Sequence, residues 1–311
     1  MSPASHRKVI LSAAQLAPAP EGKSATLDKA LTAIAEAARA GSHLIAFPEV
    51  FLTGYPFWTL HIDPQSARKF KAGFLAEAAT LDGPEMAALE AAARQHRIHI
   101  VMGLTERQGG TAYNTQAFFG PEGRLGHRRK VMPTHHERMV WGMGDGRDFP
   151  LYETAIGRLG GLICFEHTNA LYRYALQGRG EEIHVAMWPG GIQGIEGNID
   201  RAVRHYAFEG QCFVVNVTAI NTPEMIAALG GGGSTDLLAP GGGLSGVIDC
   251  RGNWVVQADP NREEVVHGEV DFAQIDALKM VMDSAGHYAR PDIIRCVIDQ
   301  RPQSAVTFED L

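Results

Sequence analysis

Residues 24–47 read SATLDKALTAIAEAARAGSHLIAF and contain a helix followed by a strand. The apolar residues of the first part recur at helical spacing, and they are Leu27, Leu31, Ile34 and Ala38. We expect Ser24 to cap this helix and Gly41 to end it. The run 43–47 is short and apolar, which predicts a strand covered on both faces. With a first strand expected at 9–14, the chain opens as strand, helix, strand.

The same rhythm continues along the chain. Helical periodicity predicts helices at 85–96, 169–177 and 199–210, and apolar runs predict strands at 98–104, 159–164, 183–188 and 212–219. Turn-forming residues predict a hairpin of 115–119 with 124–130, and antiparallel strands at 245–250, 254–258 and 265–271. This order favours an α/β fold with mixed sheets and helices outside, and it excludes an all-parallel barrel.

The composition excludes several functional classes. Of 311 residues, 45% are hydrophobic and 20% charged, and the formal charge is −7. Without an apolar run of about 18 residues we expect no membrane span, and without basic clusters we expect no nucleic-acid partner. The four cysteines form no Cys-x-x-Cys pair, which favours reduced thiols in the cytoplasm. We expect Cys212, Cys250 and Cys296 to be buried structural residues.

Two segments resemble known sequence motifs but lack an essential part of each. Arg7 and Lys8 precede an apolar run, but that run is too short for a signal peptide, so a first strand is favoured. The glycines at 230–233 and 241–243 lack the Gly-Lys-Ser/Thr of a phosphate-binding loop. We expect a flexible surface loop there, near the rim of the site.

Three reactive side chains lie at the ends of predicted strands, where α/β proteins gather their chemistry. They are Glu49, Lys130 and Cys164. A thiol at a strand-to-helix turn is a candidate nucleophile, although a lone cysteine is often only structural. Burial should raise the pKa of Glu49 and suit it to a general base, whereas an ion-paired or capping glutamate is the alternative.

Lys130 closes the basic string HRRK at 127–130. A solvated basic turn is one interpretation, but the following VMPT favours an inward-facing Lys130, with Arg128 on the outer face. His135 and His136 are adjacent, and neighbouring residues rarely bind one metal ion, so no metal site is predicted.

Several strings together resemble the nitrilase superfamily in order and spacing. They are FPE at 47–49, RKVMPT at 129–134 continuing through Glu137 and Arg138 to WGMGDG at 141–146, CFEH at 164–167 and GHYARP at 286–291. The last is similar to the closing segment of true nitrilases, and the resemblance covers nearly the whole chain. Phe165 departs from the family, which more often has Trp there, and this affects the expected pocket shape.

The resemblance implies a four-layer α-β-β-α sandwich and a homo-oligomer, either a dimer or a larger spiral assembly. It implies one domain over residues 1–311, with a C-terminal extension from about residue 275 used in assembly. Glu49 would be the general base, Lys130 would stabilise negative charge, Cys164 would be the nucleophile and Glu137 would support the site. No cofactor is implied. The residues expected to line the substrate pocket, or else to pack in the core, are Tyr55, Trp58, Thr134, His136, Phe165 and Trp188.

The predicted activity is hydrolysis of an organic nitrile to a carboxylic acid and ammonia, through a thioimidate and a thioester on Cys164. This requires the thiol pKa to fall from about 8.5, and we expect the Lys130 ammonium to lower it. Lys130 and the backbone N–H of Phe165 would then meet the anionic intermediate.

Other functions use the same or similar residues. An amidase or N-carbamoyl amide hydrolase would use the same triad, but FEHTN at 165–169 favours a nitrilase. A cyanide hydratase would stop at the amide, and a non-catalytic scaffold would keep only the fold. A papain-like protease is a further alternative, although no protease context surrounds Cys164.

Overall fold

The computed structural model describes residues 7–60, 63, 65–228, 237–303 and 306. The strands in these residues are β1 Lys8–Gln15, β2 Leu44–Ala46, β3 His99–Gln108, β4 Thr111–Gly120, β5 Gly123–Arg129, β6 Tyr152–Thr154, β7 Gly157–Ile163, β8 Ile183–Trp188, β9 Phe213–Thr218, β10 Gly246–Ile248, β11 Trp254–Gln257 and β12 Glu264–Asp271. The helices are α1 Lys23–Arg39, α2 Arg68–Glu77, α3 Pro84–His96, α4 Ala170–Gln177, α5 Glu196–Gly210, α6 Pro223–Ala228 and α7 Ala273–Lys279. Short 3₁₀ turns cover Phe57–Leu60, His135–Met139 and Cys164–Thr168.

The strands form two mixed sheets of six. The first has the order β12-β1-β2-β3-β4-β5 and the second β11-β10-β9-β8-β7-β6. In each sheet three neighbouring strands are parallel, β1, β2 and β3 in one and β7, β8 and β9 in the other. The remaining neighbours pair antiparallel. The mixed α/β prediction is confirmed.

The sheets pack face to face, with helices on both outer surfaces. Buried residues from both sheets form one core between them, including Leu11, Phe118, Val185, Phe213 and Val247. A second core joins the first sheet to α1 and α3, and a third joins the other sheet to α4 and α5. Because parallel strands are covered on both faces, β2, β8 and β9 are buried throughout, which explains their continuous apolar runs.

The sequence pattern predicted one end of α1 correctly and the other wrongly. The helix ends as expected, because Gly41 adopts φ 83° directly after the C-cap residue Ala40. Its start was predicted wrongly. The N-cap is Gly22, and Ser24 lies inside the first turn, where no side chain caps the helix. Asn169 does cap α4, since its side chain accepts a hydrogen bond from the backbone N–H of Leu171 at 3.0 Å.

Two further predictions concern the later part of the chain. The strands after residue 245 are antiparallel as expected, but they divide between the sheets, since β10 and β11 join the second and β12 joins the first. Residues 230–233 lie outside the described residues. The cysteines are free thiols; Cys212 and Cys250 are buried as predicted, whereas Cys296 is exposed on the segment after α7, so its prediction was wrong. In the described parts of the chain, no helix is both long and apolar enough to cross a membrane.

Candidate active site

Strand ends bring the candidate residues together. Glu49 follows β2, Lys130 follows β5 directly and Cys164 follows β7 directly. The Glu49 segment lies against β3, because the N–H of Leu52 donates to the Gly103 carbonyl at 3.0 Å. Gly103 permits this approach, since a Cβ there would lie 2.0 Å from the Pro48 carbonyl oxygen.

The ammonium of Lys130 lies between two carboxylates. Its Nζ donates to Glu49 Oε1 at 2.9 Å and to Glu137 Oε1 and Oε2 at 2.9 and 2.7 Å. All three side chains are buried. Asn114 completes the arrangement, because its side-chain amide donates to Glu49 Oε1 at 2.7 Å and its backbone carbonyl accepts a hydrogen bond from the backbone N–H of Lys130 at 2.8 Å. Direct hydrogen bonds therefore connect these four side chains.

Cys164 adjoins this cluster. Its Sγ and one carboxylate oxygen each of Glu49 and Glu137 lie within 4.8 Å of one another, a spacing that also fits metal ligands. The Lys130 ammonium is already bonded to both carboxylates, so a metal ion would have to displace it. Oε2 of Glu49 is buried and has no hydrogen-bond partner among the described residues. That oxygen remains available to accept a proton.

The backbone at the site is strained. Cys164 has φ 53° and Val50, next to Glu49, has φ 55°, which is the left-handed region that side chains with a Cβ rarely adopt. Such conformations persist only where the surroundings hold them, and they are concentrated at functional sites. Both reactive side chains therefore stand beside a backbone that the rest of the fold constrains.

The electrostatics favour a base at Glu49 and a permanent cation at Lys130. Burial raises the pKa of Glu49 to about 7, against the opposing effect of Lys130. Burial alone would lower the pKa of Lys130, but the neighbouring acidic groups of Cys164, Glu137 and Glu49 raise it well above its ordinary value. The expected upward shift at Glu49 is confirmed.

The thiol behaves differently from the prediction. Burial raises the pKa of Cys164 well above its ordinary value, and the lowering effect of Lys130 does not overcome it. Glu49 and Glu137 add negative charge nearby, which raises the pKa further. The predicted fall of the thiol pKa was wrong, because burial outweighs the lowering effect of the Lys130 ammonium and the two carboxylates beside the ammonium oppose that effect. Cys164 rests as a neutral thiol.

Arg128 does not lie on the outer face, so that prediction was wrong too. Its side chain is buried, and its guanidinium donates two hydrogen bonds of 2.8 Å to the buried Glu166. Glu166 also accepts the backbone N–H groups of Val131 at 2.7 Å and Ile163 at 2.8 Å. Arg128 and Lys130 share a face because side chains two positions apart point the same way from an extended chain. The Glu166 carboxylate thus connects the backbone of Val131, next to Lys130, to the backbone of Ile163, next to Cys164.

Some predicted pocket residues contact this cluster and others do not. The Tyr55 hydroxyl donates to Glu137 Oε1 at 2.8 Å and lies 3.0 Å from His136 Nε2. The Thr134 N–H donates to Glu137 Oε2 at 2.6 Å. Trp58 instead packs on Phe70 and Phe74. Phe165 follows Cys164 in sequence, and the rings of Phe165 and Trp188 pack with their centroids 6.1 Å apart.

The sequence interpretation missed Asn114 and Glu166. Asn114 is a polar residue within the long, mostly buried strand β4, and that placement was a usable signal because a buried amide requires partners. Glu166 was quoted only as part of a motif. Its partner could not be identified from sequence, because 38 residues separate it from Arg128.

The carbon-nitrogen hydrolase family model matches residues 10–280. The chain belongs to the carbon-nitrogen hydrolase family. This carbon-nitrogen hydrolase is 37% identical over 306 residues to a protein named nitrilase from Paraburkholderia phymatum, an alignment that covers 97% of this chain and 90% of the relative. It is 38% identical to an aliphatic nitrilase from Rhodococcus rhodochrous, over 90% of this chain and 80% of the relative.

A solved structure confirms the fold of this carbon-nitrogen hydrolase. Saccharomyces cerevisiae Nit3, described as a member of branch 10 of the nitrilase superfamily, superposes with a TM-score of 0.71 at 19% identity. The match covers 91% of this chain and 97% of Nit3. The two six-stranded sheets with outer helices are therefore the fold of this superfamily.

Proposed function

We propose that this carbon-nitrogen hydrolase is a nitrilase, which converts an organic nitrile and two waters to a carboxylic acid and ammonia. One observation carries the proposal: a thiol, an ammonium and two carboxylates form one buried cluster at the ends of three strands. The relatives named nitrilase support the choice of substrate class. Glu49, Lys130 and Cys164 are the proposed catalytic residues, and Glu137 is the proposed support of Lys130.

In the proposed first step the thiol adds to the nitrile carbon. Since Cys164 rests as a neutral thiol, its proton leaves during the attack, and Glu49 Oε2 is the unpaired acceptor. The proton passes to the nitrile nitrogen as the C–S bond forms, which gives a thioimidate. A soft sulfur nucleophile suits the weakly electrophilic nitrile carbon, and the covalent intermediate divides a difficult hydration into easier steps.

The later steps need Glu49 again. A first water gives up a proton to the carboxylate, and its oxygen adds to the thioimidate carbon. Glu49 returns that proton to the nitrogen of the tetrahedral intermediate. The new hydroxyl then passes its own proton to the same nitrogen as the C–N bond breaks, so that ammonia leaves and a thioester remains. A second water, deprotonated in the same way, cleaves the thioester, so that the acid leaves and the proton returns to sulfur. Glu49 alternates between base and acid, for which a pKa of about 7 is well matched.

Lys130 is proposed to stabilise the negative charge of the tetrahedral intermediates. The raised pKa of Lys130 keeps it charged throughout. The backbone N–H of Phe165 lowers the pKa of the Cys164 thiol and is the proposed second donor beside the reacting atom. One donor of this kind is commonly worth about 3 kcal/mol to the transition state. Glu137 accepts from the ammonium on the other side and is itself held by the Tyr55 hydroxyl.

An assay of nitriles against the matching amides tests the proposal. The wild-type chain should release ammonia and acid in equal amounts from at least one aliphatic, aromatic or arylacetonitrile substrate, and Cys164→Ala should release neither. Hydrolysis of the amides alone would instead identify an amidase, and an amide product from cyanide or nitriles would identify a hydratase. If no compound were turned over and Cys164→Ala kept the biological role, the scaffold alternative would stand.

We also propose a cytoplasmic homo-oligomer without a nucleic-acid partner. The free thiols agree with a reducing compartment, and the net charge of −7 disfavours phosphate backbones. Large apolar side chains of the C-terminal segment are exposed, namely Met280, Val281, Tyr288, Ile293, Ile294 and Val297. Contiguous exposed apolar residues mark association surfaces, which supports the role of this segment in assembly.

A further inference from the structure

A chain of buried polar side chains begins at the backbone of Cys164 and leads away from the cluster of Glu49 and Lys130. His167 Nδ1 lies 2.7 Å from the Cys164 carbonyl oxygen, and His167 Nε2 lies 2.9 Å from His184 Nε2. His184 Nδ1 lies 2.9 Å from Glu181 Oε1, and the Tyr206 hydroxyl donates to Glu181 Oε2 at 2.5 Å. All four side chains are buried. The proposed reaction uses none of them.

The carbonyl at one end determines where the protons lie. A carbonyl oxygen only accepts, so His167 Nδ1 must carry hydrogen. Burial lowers the pKa of both histidines well below the ordinary value, so His167 is neutral and its Nε2 has a lone pair. His184 Nε2 must then donate to His167. The hydrogen bonds among these side chains therefore define the tautomer of each ring.

The same reasoning reaches Glu181. With hydrogen on Nε2, a neutral His184 can only accept at Nδ1, so Glu181 must donate from a protonated carboxyl group. Burial raises the pKa of Glu181 to about 8, which agrees with that proton being present at neutral pH. Tyr206 donates to the second oxygen of the acid. Every hydrogen bond thus points the same way, from Tyr206 towards the carbonyl of Cys164.

The surrounding residues leave space for this series of hydrogen-bonded side chains and restrict its movement. Gly160 lies on β7 where a Cβ would be 2.2 Å from Glu181 Oε1, so any larger residue would displace the carboxyl group from this position. The ring of His167 stacks on Trp188 with centroids 5.0 Å apart, and His184 stacks on Tyr206 at 3.7 Å. Arg173 also donates to the His167 carbonyl at 2.9 Å. The rings therefore have little freedom to turn.

We propose that His167 is a positioning residue, which holds the left-handed backbone of Cys164 through its carbonyl and is itself oriented by His184, Glu181 and Tyr206. The inference rests on the proposed function, since it assigns what aims the nucleophile of that reaction. With φ at 53°, Cys164 relaxes if the hydrogen bond to its carbonyl is lost. Its sulfur then moves away from the carboxylate that takes its proton.

A pair of similar-sized variants at His167 tests the role directly. Asparagine has an amide nitrogen in the place of Nδ1, whereas leucine has the same shape without a donor. We expect His167→Leu to lower kcat about 100-fold with KM changed less than about threefold, since a displacement of about 1 Å costs that much. His167→Asn should recover to within about tenfold of wild type, because it restores the donor to the carbonyl.

Alkylation gives a second measurement that needs no nitrile. Peptide-level mass spectrometry after iodoacetamide treatment reports Cys164 and the exposed Cys296 in the same molecule. In His167→Leu, labelling of Cys164 should slow about tenfold or more because the sulfur loses its base, while labelling of Cys296 stays unchanged. If the wild type hydrolysed no nitrile, the proposed function would fail, and the labelling rates would still decide this inference.

Variants at Glu181 test the chain from its far end and serve if both His167 variants misfold. Glutamine can donate to His184 and accept from Tyr206 as the protonated acid does, whereas leucine does neither. Glu181→Gln should keep kcat within about threefold of wild type and Glu181→Leu should lose about tenfold or more. Glu182→Gln, one residue along and partly exposed, is the control. Equal losses in Glu181→Gln and Glu181→Leu, or equal activity in His167→Leu and His167→Asn, would overturn the proposal.

Discussion

The ionisation of Glu49 should govern the pH dependence of the proposed reaction. Burial raises its pKa to about 7, and only the ionised form accepts the thiol proton. We therefore expect kcat/KM to rise about tenfold per pH unit below the pKa and to level off above it. Lys130 adds no falling limb near neutrality, since its pKa is raised well above the ordinary value. A rate profile between about pH 5 and about pH 9 checks this, and a flat profile would remove Glu49 as the base.

Lys130 and Cys164 should differ in what they contribute to stability. Lys130→Met leaves the buried carboxylates of Glu49 and Glu137 without a counter-charge, which costs about 3–5 kcal/mol in the free energy of unfolding. Cys164→Ala removes no charge and leaves the same backbone conformation with a Cβ, so it should cost about 1 kcal/mol or less. Both should abolish turnover.

Urea unfolding of the two variants measures the difference. The double variant Lys130→Met with Glu137→Gln is the control, because neutralising one carboxylate should restore part of the lost stability. Equal unfolding midpoints for Lys130→Met and wild type would contradict the assignment of Lys130 as the buried counter-ion.

The identities of the reactive residues were predictable, and their charge states were not. Glu49, Lys130 and Cys164 each follow closely after a strand, and this local pattern is visible in one sequence. The state of the thiol depends on a sum over Glu49, Glu137 and Lys130, which lie up to 115 positions away in the chain. Arg128 was misplaced for the same reason, since its partner Glu166 belongs to another sheet's strand end.

At the element scale, β3 determines where the Glu49 segment lies. A Cβ on Gly103 would lie 2.0 Å from the Pro48 carbonyl and 2.7 Å from the Val50 nitrogen, and both are backbone atoms that cannot easily move aside. We expect Gly103→Ala to displace Glu49 and lower kcat about 100-fold, because small misplacements of catalytic groups are costly. Unfolding should also occur more easily, by about 1–3 kcal/mol.

Gly110 provides the matched control in the same hairpin. A Cβ there meets nothing within 4 Å, so Gly110→Ala should leave activity and stability close to wild type. Steady-state rates and thermal melting of the two variants give the comparison. Unaltered kcat in Gly103→Ala would mean that the close contact does not position Glu49.

Helices and strands with a regular pattern of apolar residues were predicted well, but the pairing of the strands within the two sheets was not. The strand at 183–188 agrees with β8 residue for residue, because a strand covered on both faces leaves a continuous apolar run. The start of α1 was missed because Gly22 replaces the usual polar cap. The division of β10, β11 and β12 between two sheets depends on long-range pairing, for which alternation alone gives no signal.

At the scale of the whole molecule, the exposed C-terminal segment gives a prediction about assembly. Ile294 and Val297 are 79% and 80% exposed and lie far from the cluster in sequence. Ile294→Asp and Val297→Asp should reduce the assembled mass measured by light scattering, because charge on an apolar contact surface opposes association. Val255→Asp is the control, since Val255 is a 44% exposed residue on β11. Unchanged mass in both tail variants would contradict a role for this segment.

The pairing of β12 with β1 has a consequence for synthesis on the ribosome. Lys8 lies opposite Asp271, so β1 waits for β12, the last strand among the described residues, before its outer edge is covered. Until then a nascent chain presents an open row of backbone donors and acceptors that invites pairing with other polypeptides. Translation must therefore pass residue 271 before the first sheet closes, and chains released earlier are the ones that chaperones or proteases would have to handle.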